Sequence, residues 1–497
     1  TTNTKADGRF HSNWLNMMYP RLLLARGLLR ADGVIMISID DNEVHNLLSM
    51  VTEIFGGENV VGVLVWEKKK KGAFLARHLT NIKEYVVVVA RNALSFGGLI
   101  GEIATDTETY PCINATNPRE IRIIPAGIKS NFSENDYFLP KGSVISSGTM
   151  DMVLHSDLAI EAGVLKRQLI IEGNWRYTQE NMEQFAKNGE LYLTTDLYLR
   201  RIVAEPRYKN LKDLLPRVGE DEKADYRQYN PNNLFEDGWG SNEDGEEELR
   251  DLLNAQDIFP YPKPMKLIAK LIASVRDPEA IVIDFFAGSC TAAHAILNLN
   301  ARDNGNRRFI MVQLPEPTGE GSPARQSGYA TIADIGKERI RRVIKQMQGE
   351  QPKLIPDRET PEDLGFRVFR LERSHFKAWQ DYTGGDVAEL ETLFDRFESP
   401  LAEVWTPESL LVEIMLLQGF PLDSAVTPLP ACPHNHVLRV TSDLVAHHLY
   451  VCLDERLHPA TADTLALGAE DVFVCLDSAL DEETKLRLQD GRNVVVI

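Results

Sequence analysis

Apolar residues recur at two different spacings in the first ninety residues. Residues 14–30 carry them at helical spacing, and Ala31-Asp32-Gly33 ends that pattern. An apolar run at 34–39, a second amphipathic segment to about Phe55, and strand-type runs at 60–66 and 85–90 follow. This order predicts alternating helices and strands, which indicates a mostly parallel sheet.

The regular alternation is lost between residues 93 and 248, a stretch too long to be a loop. It predicts a separate insert with strands at 120–124 and 168–171. The alternation then resumes, with predicted helices at 263–275, 290–299 and 332–348 and predicted strands at 280–286, 308–314 and 366–371. We therefore expect one α/β domain that is split around an insert.

The charge is concentrated at the carboxyl end of the chain. Of a net charge of −19, residues 381–497 contribute −15, with 21 acidic and 6 basic side chains. The nearly neutral remainder can hold a basic groove for DNA, whereas the acidic block suits a protein partner. Helical patterns at 386–398 and 407–417 and strand-type runs at 448–453, 471–476 and 493–497 predict a small α/β module.

Other bulk features exclude several classes of protein. No apolar run approaches the roughly 20 residues that a membrane helix needs, so we expect no membrane span. Five scattered cysteines are typical of a reducing compartment, which predicts a cytoplasmic protein. Cys432, His434, His436 and Cys452 do not have the spacing of a zinc site, and no metal is predicted. The absence of an initiator methionine suggests that upstream sequence has been removed.

One stretch has the composition of a ligand-binding loop. The apolar run Ile281-Val282-Ile283 leads through Asp284-Phe285-Phe286-Ala287-Gly288-Ser289-Cys290 to Thr291, where a helix is predicted to begin. A buried strand that delivers a turn of small residues to a helix start suits a nucleoside-type ligand. The alternative is an ordinary strand-to-helix connection. The stretch does not match G-x-G-x-x-G, which disfavours a dinucleotide enzyme.

The same loop resembles the adenosylmethionine motif D-x-F-x-G-S-G-T of amino-methylating DNA methyltransferases, with Cys290 in place of the second glycine. The resemblance implies S-adenosylmethionine as cofactor. It assigns cofactor contacts to Asp284, Phe285, Phe286, Ala287, Gly288, Ser289 and Thr291.

Two neighbouring segments extend this resemblance. Phe259–Pro264 resembles the segment that closes over the methionine end of the cofactor, which implies contacts from Lys263 and Pro264; alternatively it is a Pro-rich helix start. Residues 307–316 resemble the second strand of the family, whose tip carries a ribose-binding acid. Gln313 or Glu316 fills that place, unless either is a solvated strand end.

Longer strings point to one family. Residues 10–22, 32–43, 332–340 and 365–369 resemble the modification subunit of type III restriction-modification systems. The resemblance implies a Rossmann-like α/β methyltransferase core that is circularly permuted and split. Residues 1–92 would form its first part, 93–248 a target-recognition insert, 249–378 the cofactor-binding part, and 379–497 an acidic assembly domain.

The family transfers a methyl group to the exocyclic amino group of adenine in double-stranded DNA, on a base flipped out of the duplex. In this family the groups that bind the flipped base come from an Asp-Pro-Pro-Tyr tetrapeptide, which lies upstream of the position of Trp14. This sequence has no Pro-Pro pair, so we expect the catalytic strand to be missing and the chain as given to be inactive. The implied partners are DNA, a second copy and a restriction subunit. Alternatives are a solitary or cytosine-amino methyltransferase, or a non-catalytic DNA-binding or assembly subunit.

Basic residues offer DNA contacts in two places. Lys68, Lys69, Lys70, Lys71 and the nearby Arg77 form the clearest cluster, which is either a phosphate-binding patch or a solvated loop. The insert adds aromatic and basic groups at Trp175, Arg176, Tyr177, Arg200 and Arg201.

Overall fold

The computed structural model describes residues 9–69, 78–146, 150–203, 206–217, 229–350, 363–377, 400–489 and 493–497. The chain separates into two compact units, Thr1–Gly365 and Phe366–Ile497, which are described separately. No helix among the described residues is long and apolar enough to cross a membrane.

The first unit begins with two helices on an antiparallel sheet. Its elements are α1 (Phe10–Leu28), β1 (Val34–Ile39), α2 (Val44–Phe55), a 3-10 turn (Gly57–Asn59), β2 (Val60–Glu67) and β3 (Lys83–Ala90). Both β1 and β2 pair antiparallel with β3, which lies between them. The prediction of a mostly parallel sheet was therefore wrong here, because the hydrophobic pattern shows where strands lie but not the direction in which they pair.

Strand β3 is buried on both faces, as its continuous apolar run requires. Val87 and Val89 face a cluster built from α1 and α2. Val86 and Val88 belong to a second cluster on the opposite face. Side chains that alternate along one strand thus join two helical layers.

The insert consists of short strands and one helix. In chain order these are β4 (Ile100–Ala104), β5 (Glu108–Pro111), β6 (Arg119–Ile124), β7 (Lys129–Ser130), β8 (Tyr137–Leu139), β9 (Val144–Ser146), β10 (Asp151–Leu154), β11 (Leu158–Glu161), β12 (Val164–Leu165), β13 (Leu169–Asn174), α3 (Gln179–Lys187), β14 (Leu191–Leu193), β15 (Leu199–Val203), β16 (Arg207–Asn210) and β17 (Leu214–Leu215). A seven-stranded sheet in the order β5-β15-β14-β7-β12-β11-β8 and a four-stranded sheet β6-β13-β10-β9 enclose one apolar core. Strand β17 returns to pair in parallel with β2.

The part of the chain predicted to bind the cofactor follows. It contains α4 (Asn242–Leu253), α5 (Met265–Ser274), β18 (Ile281–Asp284), α6 (Thr291–Asp303), β19 (Arg308–Met311), α7 (Pro323–Gln326) and α8 (Ile332–Glu350). Helices α5 and α6 pack on the β2–β3 face through Leu267, Leu271 and Leu299. Strands β18 and β19 form a separate parallel pair.

The second unit contains a mixed five-stranded sheet in sequence order. Its elements are α9 (Pro407–Leu417), β20 (Ala425–Pro428), β21 (Val437–Thr441), β22 (Leu449–Cys452), α10 (Pro459–Thr464), β23 (Val472–Cys475), a 3-10 turn (Asp477–Ala479), α11 (Glu482–Gln489) and β24 (Asn493–Val496). The helix predicted at 386–398 lies outside the described residues. The prediction of a strand at 366–371 was wrong. These residues pair with no strand in the described part of the chain, and Leu371 is 99% exposed.

Candidate cofactor site

The loop predicted to bind the cofactor begins where two parallel strands end. Strand β18 pairs with β19 from Ile281↔Arg308 to Asp284↔Met311. Beyond the ladder, Val312 N donates to Asp284 O (2.8 Å), and Ala287 N donates back to Val312 O (3.2 Å). The loop is therefore anchored at the carboxyl edge of the strand pair, where ligands of α/β proteins bind.

Two left-handed residues turn the chain into α6. Gly288 has φ 51° and Cys290 has φ 58°, and Cys290 N donates to Ala287 O (2.6 Å). Glycine adopts this left-handed conformation without strain. For a residue with a Cβ the same conformation costs roughly 1–2 kcal/mol. The family pattern has glycine at the position of Cys290, and the backbone geometry gives the physical reason. Burial also raises the pKa of the Cys290 thiol to about 11.

Gln313, which lies just after β19, forms a hydrogen bond with the loop. Gly288 N donates to its Oε1 (2.8 Å), while Nε2 donates to Leu314 O (3.1 Å). The predicted ribose role of Gln313 therefore competes with a structural one. Glu316 lies three residues further on, is half-buried, and donates its backbone N–H to Leu314 O (2.8 Å).

The loop has one exposed and one buried side. Phe286 is 49% exposed and its ring centroid lies 6.0 Å from the guanidinium carbon of Arg21, whereas Phe285 packs against the α1–α2 cluster. Ser289 and Thr291 are buried. Asp284 Oδ1 accepts from Phe286 N (3.1 Å), but burial raises the pKa of the carboxyl more than this bond lowers it.

The segment before α5 reaches the loop through an aromatic ring. Phe259 Cζ lies 3.2 Å from the point that a Cβ on Gly288 would occupy. Pro264 occupies the N-cap position of α5 and makes no side-chain capping bond. The Lys263 ammonium is turned toward β3, where it pairs with Glu84 (2.8 Å) and lies 5.4 Å from the centroid of the Trp66 ring.

Lys68 also pairs with the carboxylate of Glu84. Its Nζ lies 3.0 Å from Glu84 Oε1, so the lysine predicted to contact DNA and the lysine predicted to contact the cofactor meet at one residue. Lys69 is half-buried. The other predicted contacts, Lys70, Lys71 and Arg77, lie outside the described residues.

Most of the aromatic and basic residues singled out in the insert are used in its packing. Trp175 is buried and its Nε1 donates to Glu120 O (2.8 Å). Tyr177 packs edge-on against Phe185, and the Arg201 guanidinium lies 3.7 Å from the centroid of that same ring. Arg200 donates to Thr109 O (2.8 Å), which leaves Arg176 as the exposed member of this set.

Sequence reasoning missed the contacts that support the loop from behind. A Cβ on Gly336 of α8 would lie 2.5 Å from Cys290 Sγ, so only glycine lets the helix approach this closely. A glycine inside an amphipathic helix was the available signal. Three helix-borne residues that complete this support, Glu248, His294 and Arg339, carry no sequence motif.

The cysteine and histidine residues of the second unit are not gathered into a metal centre. Cys432 and Cys452 are buried in an apolar cluster. Among the residues that the structure describes, no three His, Cys, Asp or Glu side chains come close enough to hold a metal ion.

Comparison with known proteins identifies the class. A model of the DNA methylase family matches residues 2–316, which is more than half of the chain. The chain therefore belongs to the DNA methylase family.

The individual relatives narrow this class. The chain is 28% identical over 390 residues to the type III restriction-modification enzyme StyLTI Mod subunit of Salmonella typhimurium, a match covering 76% of this chain and 51% of that protein. It is 30% identical over 410 residues to the EcoP15I Mod subunit of Escherichia coli, covering 78% and 56%. The resemblance to type III modification subunits is confirmed, and the chain spans about half the length of these curated relatives.

Two further matches are DNA methyltransferases that are not named as type III subunits. The type II methyltransferase M.KpnI of Klebsiella pneumoniae is 26% identical over 341 residues, covering 66% of this chain and 74% of that protein. The solved structure of PvuII DNA methyltransferase (cytosine-N4-specific) covers 67% of this chain and 78% of its own, with a TM-score of 0.30 and 9% identity. A likeness this distant supports no argument about the fold.

Proposed function

We propose that this chain contains the cofactor-binding and target-recognition parts of a site-specific DNA methyltransferase. The enzyme transfers a methyl group from S-adenosylmethionine to the exocyclic amino group of adenine, as the modification subunit of a type III system. The observation that carries the proposal is the loop Asp284–Thr291, which leaves a parallel strand pair and turns through two left-handed residues into α6. Membership of the DNA methylase family supports it.

The loop residues suit such a cofactor in specific ways. The exposed ring of Phe286 offers a flat apolar surface to the adenine. Glu316 is the better ribose partner, since the amide oxygen of Gln313 already accepts from Gly288 N. Ser289 and Thr291 turn their hydroxyls to the buried side, so their backbone N–H groups are the parts left for the ligand. When bound, S-adenosylmethionine supplies the methyl group.

The permuted and split core is part of the proposal. Helices α5 and α6 pack on the β2–β3 sheet, and Phe285, the residue after β18, packs against the α1–α2 cluster. The two parts of the core, separated in sequence by the insert, thus share apolar contacts on both faces. Residues 93–248 would then read the target sequence, and the acidic residues 379–497 would serve assembly with a second copy or a restriction subunit.

The pairing of β1 and β18 supports a proposed place for the catalytic tetrapeptide of the family. In the described part of the chain, β1 pairs only with β3, and β18 pairs only with β19. Ile281 and Ile283 of β18 are 53% and 38% exposed, unusual for an apolar strand. A strand carrying Asp-Pro-Pro-Tyr would pair between β18 and β1 and bring its carboxyl end beside the loop. A protein that combines this chain with such a tetrapeptide should methylate DNA, and replacement of the tetrapeptide's Asp by Ala should abolish the activity.

Cofactor binding can be tested on the chain as it stands. Titration calorimetry should detect adenosylmethionine binding that Gly288→Arg abolishes, because a side chain there meets the Phe259 ring and strains the left-handed turn. Gly189→Arg is the matched control, since Gly189 also has a positive φ but lies in the insert with open space around it. Equal binding by the Gly288 variant would refute the site.

DNA binding can be tested through its salt dependence. Replacement of Lys68, Lys69, Lys70 and Lys71 by Ala should flatten the slope of log affinity against log salt, by up to about 0.9 for each phosphate that the protein no longer neutralises. Lys485→Ala in the second unit is the control. An unchanged slope in the quadruple variant would remove this cluster from the interface.

A solitary methyltransferase is a second candidate, and the match to M.KpnI, a type II methyltransferase, favours it. The two candidates are separated by whether a restriction subunit is encoded beside the gene and, where one is, by coexpression of the two chains. Copurification supports the type III assignment, whereas a genome without such a neighbour supports the solitary enzyme.

A further inference from the structure

A cluster of ionised side chains is buried directly behind the cofactor loop. Arg339 of α8 and Glu248 of α4 are almost fully buried, and Nη2 of the arginine lies 3.3 Å from Oε1 of the glutamate. Burial raises the pKa of Glu248, but Arg339, His294 and the backbone N–H of Met265 together lower it by more, so the pKa lies below its ordinary value and the carboxylate stays ionised. Apolar residues often stabilise a fold as well as a buried ion pair does. The position of this pair therefore calls for another explanation.

One end of the pair holds the loop. Arg339 Nη1 donates to Thr291 Oγ1 (2.7 Å) and to Ser289 Oγ (3.1 Å). These two residues flank Cys290, whose left-handed turn would otherwise be free to relax. Gly336, one turn earlier on the same face of α8, allows the helix to approach Cys290 Sγ closely enough for these bonds.

The other end holds the segment that faces the loop. Glu248 Oε2 accepts from Met265 N (2.9 Å), the first residue of α5 and the end of the segment that carries Phe259 and Lys263. His294 of α6 lies between the partners, with Nδ1 3.1 Å from Glu248 Oε1 and 3.3 Å from Arg339 Nη2. Burial lowers the pKa of His294, so the ring is neutral at pH 7.

We propose that Arg339 and Glu248 are positioning residues that form a buried brace between the loop Asp284–Thr291 and the start of α5. The brace fixes the distance between the two walls of the cofactor site and so sets the affinity for adenosylmethionine without touching it. This inference rests on the proposed function of the loop. A forked guanidinium is needed because it donates to two hydroxyls through Nη1 while Nη2 forms an ion pair with the carboxylate.

The test compares two buried arginines of the same unit. Arg339→Met combined with Glu248→Gln removes the brace without leaving an unpaired buried charge, and Arg339→Lys keeps the charge but loses the fork. Arg307→Met is the control, because Arg307 is also buried and pairs with Asp303 (2.8 Å) at the opposite end of α6. The dissociation constant for adenosylmethionine should rise about 10-fold or more in the brace variants. It should change less than about 2-fold in the control.

A second readout does not depend on the cofactor. Cys290 lies between the two braced hydroxyls and is buried, so loosening the loop should speed its alkylation by N-ethylmaleimide, measured by peptide mass spectrometry. Faster alkylation and weaker binding in both brace variants, but not in Arg307→Met, support the brace. Unchanged alkylation in the brace variants overturns it. If the parent chain binds no adenosylmethionine while alkylation still responds, the structural support of the loop stands, and the proposed function fails together with the effect of the brace on affinity.

Discussion

The cofactor-binding part and the insert are stabilised by different kinds of residue. Between residues 241 and 339 the buried set includes ionisable side chains: Asp244, Glu248, Lys266, Lys270, Arg307 and Arg339. Among the described residues of the insert from 93 to 240, no charged side chain is buried, and the core is apolar. Its ion pairs, such as Glu172 with Arg119 and Glu190 with Arg201, lie at the surface.

This difference fits two different tasks. A buried, hydrogen-bonded charge fixes direction as well as distance, because a small displacement leaves it unpaired in a medium of low dielectric constant. A site that must hold one cofactor in one pose benefits from that rigidity. An apolar core tolerates changes at its surface, which suits an insert whose loops would recognise different DNA sequences.

The strongest test of this contrast removes one carboxylate from each region. Glu248→Ala leaves Arg339 buried without its counter-ion, so the free energy of unfolding should fall by about 3–5 kcal/mol. Glu172→Ala in the insert breaks two surface contacts, to Arg119 and His155, and should cost about 1 kcal/mol or less. Urea denaturation followed by tryptophan fluorescence measures both. Equal losses in the two variants would contradict the contrast.

A smaller effect is expected from opening a cavity in the insert. Leu169 is fully buried where β13 pairs with β6, and Leu169→Ala should destabilise the insert by about 2–4 kcal/mol. The dissociation constant for adenosylmethionine should stay within about 2-fold, since the described members of this core are apolar and none belongs to the loop Asp284–Thr291. Val164→Ala, at a partly exposed position of β12, is the control. A matching loss of cofactor affinity would show that the two regions are coupled.

The residues that could be predicted from sequence are those whose pattern is local. The run Ile281–Thr291 contains a strand, a small-residue turn and a helix start, and the structure has all three in that order. Strand direction was not predictable, because β1, β2 and β3 have apolar runs that fit either pairing. The two-residue strand β17 is too short to leave a pattern. The pair of Glu248 and Arg339 was not predictable either, since the two residues are distant in sequence and come into contact only when α4 and α8 pack together.

The smallest expected effect is on the pH dependence of the free energy of unfolding, compared between Lys270 and a carboxylate of the insert. Burial, together with the nearby Lys266, lowers the pKa of Lys270 to about 7, whereas an unfolded lysine titrates near 10.4. Between these values unfolding takes up a proton, so the free energy of unfolding should rise with pH, by about 1 kcal/mol from pH 7.5 to 8.5. Lys270→Met should abolish this slope in urea denaturation. In the insert, Arg207 lowers the pKa of the half-buried Glu108 to about 2, so the stabilising contribution of this carboxylate is lost only as the pH falls from about 4.5 towards 2. Glu108→Gln should therefore leave the alkaline slope intact, and a slope that survives in Lys270→Met would instead assign it to another group.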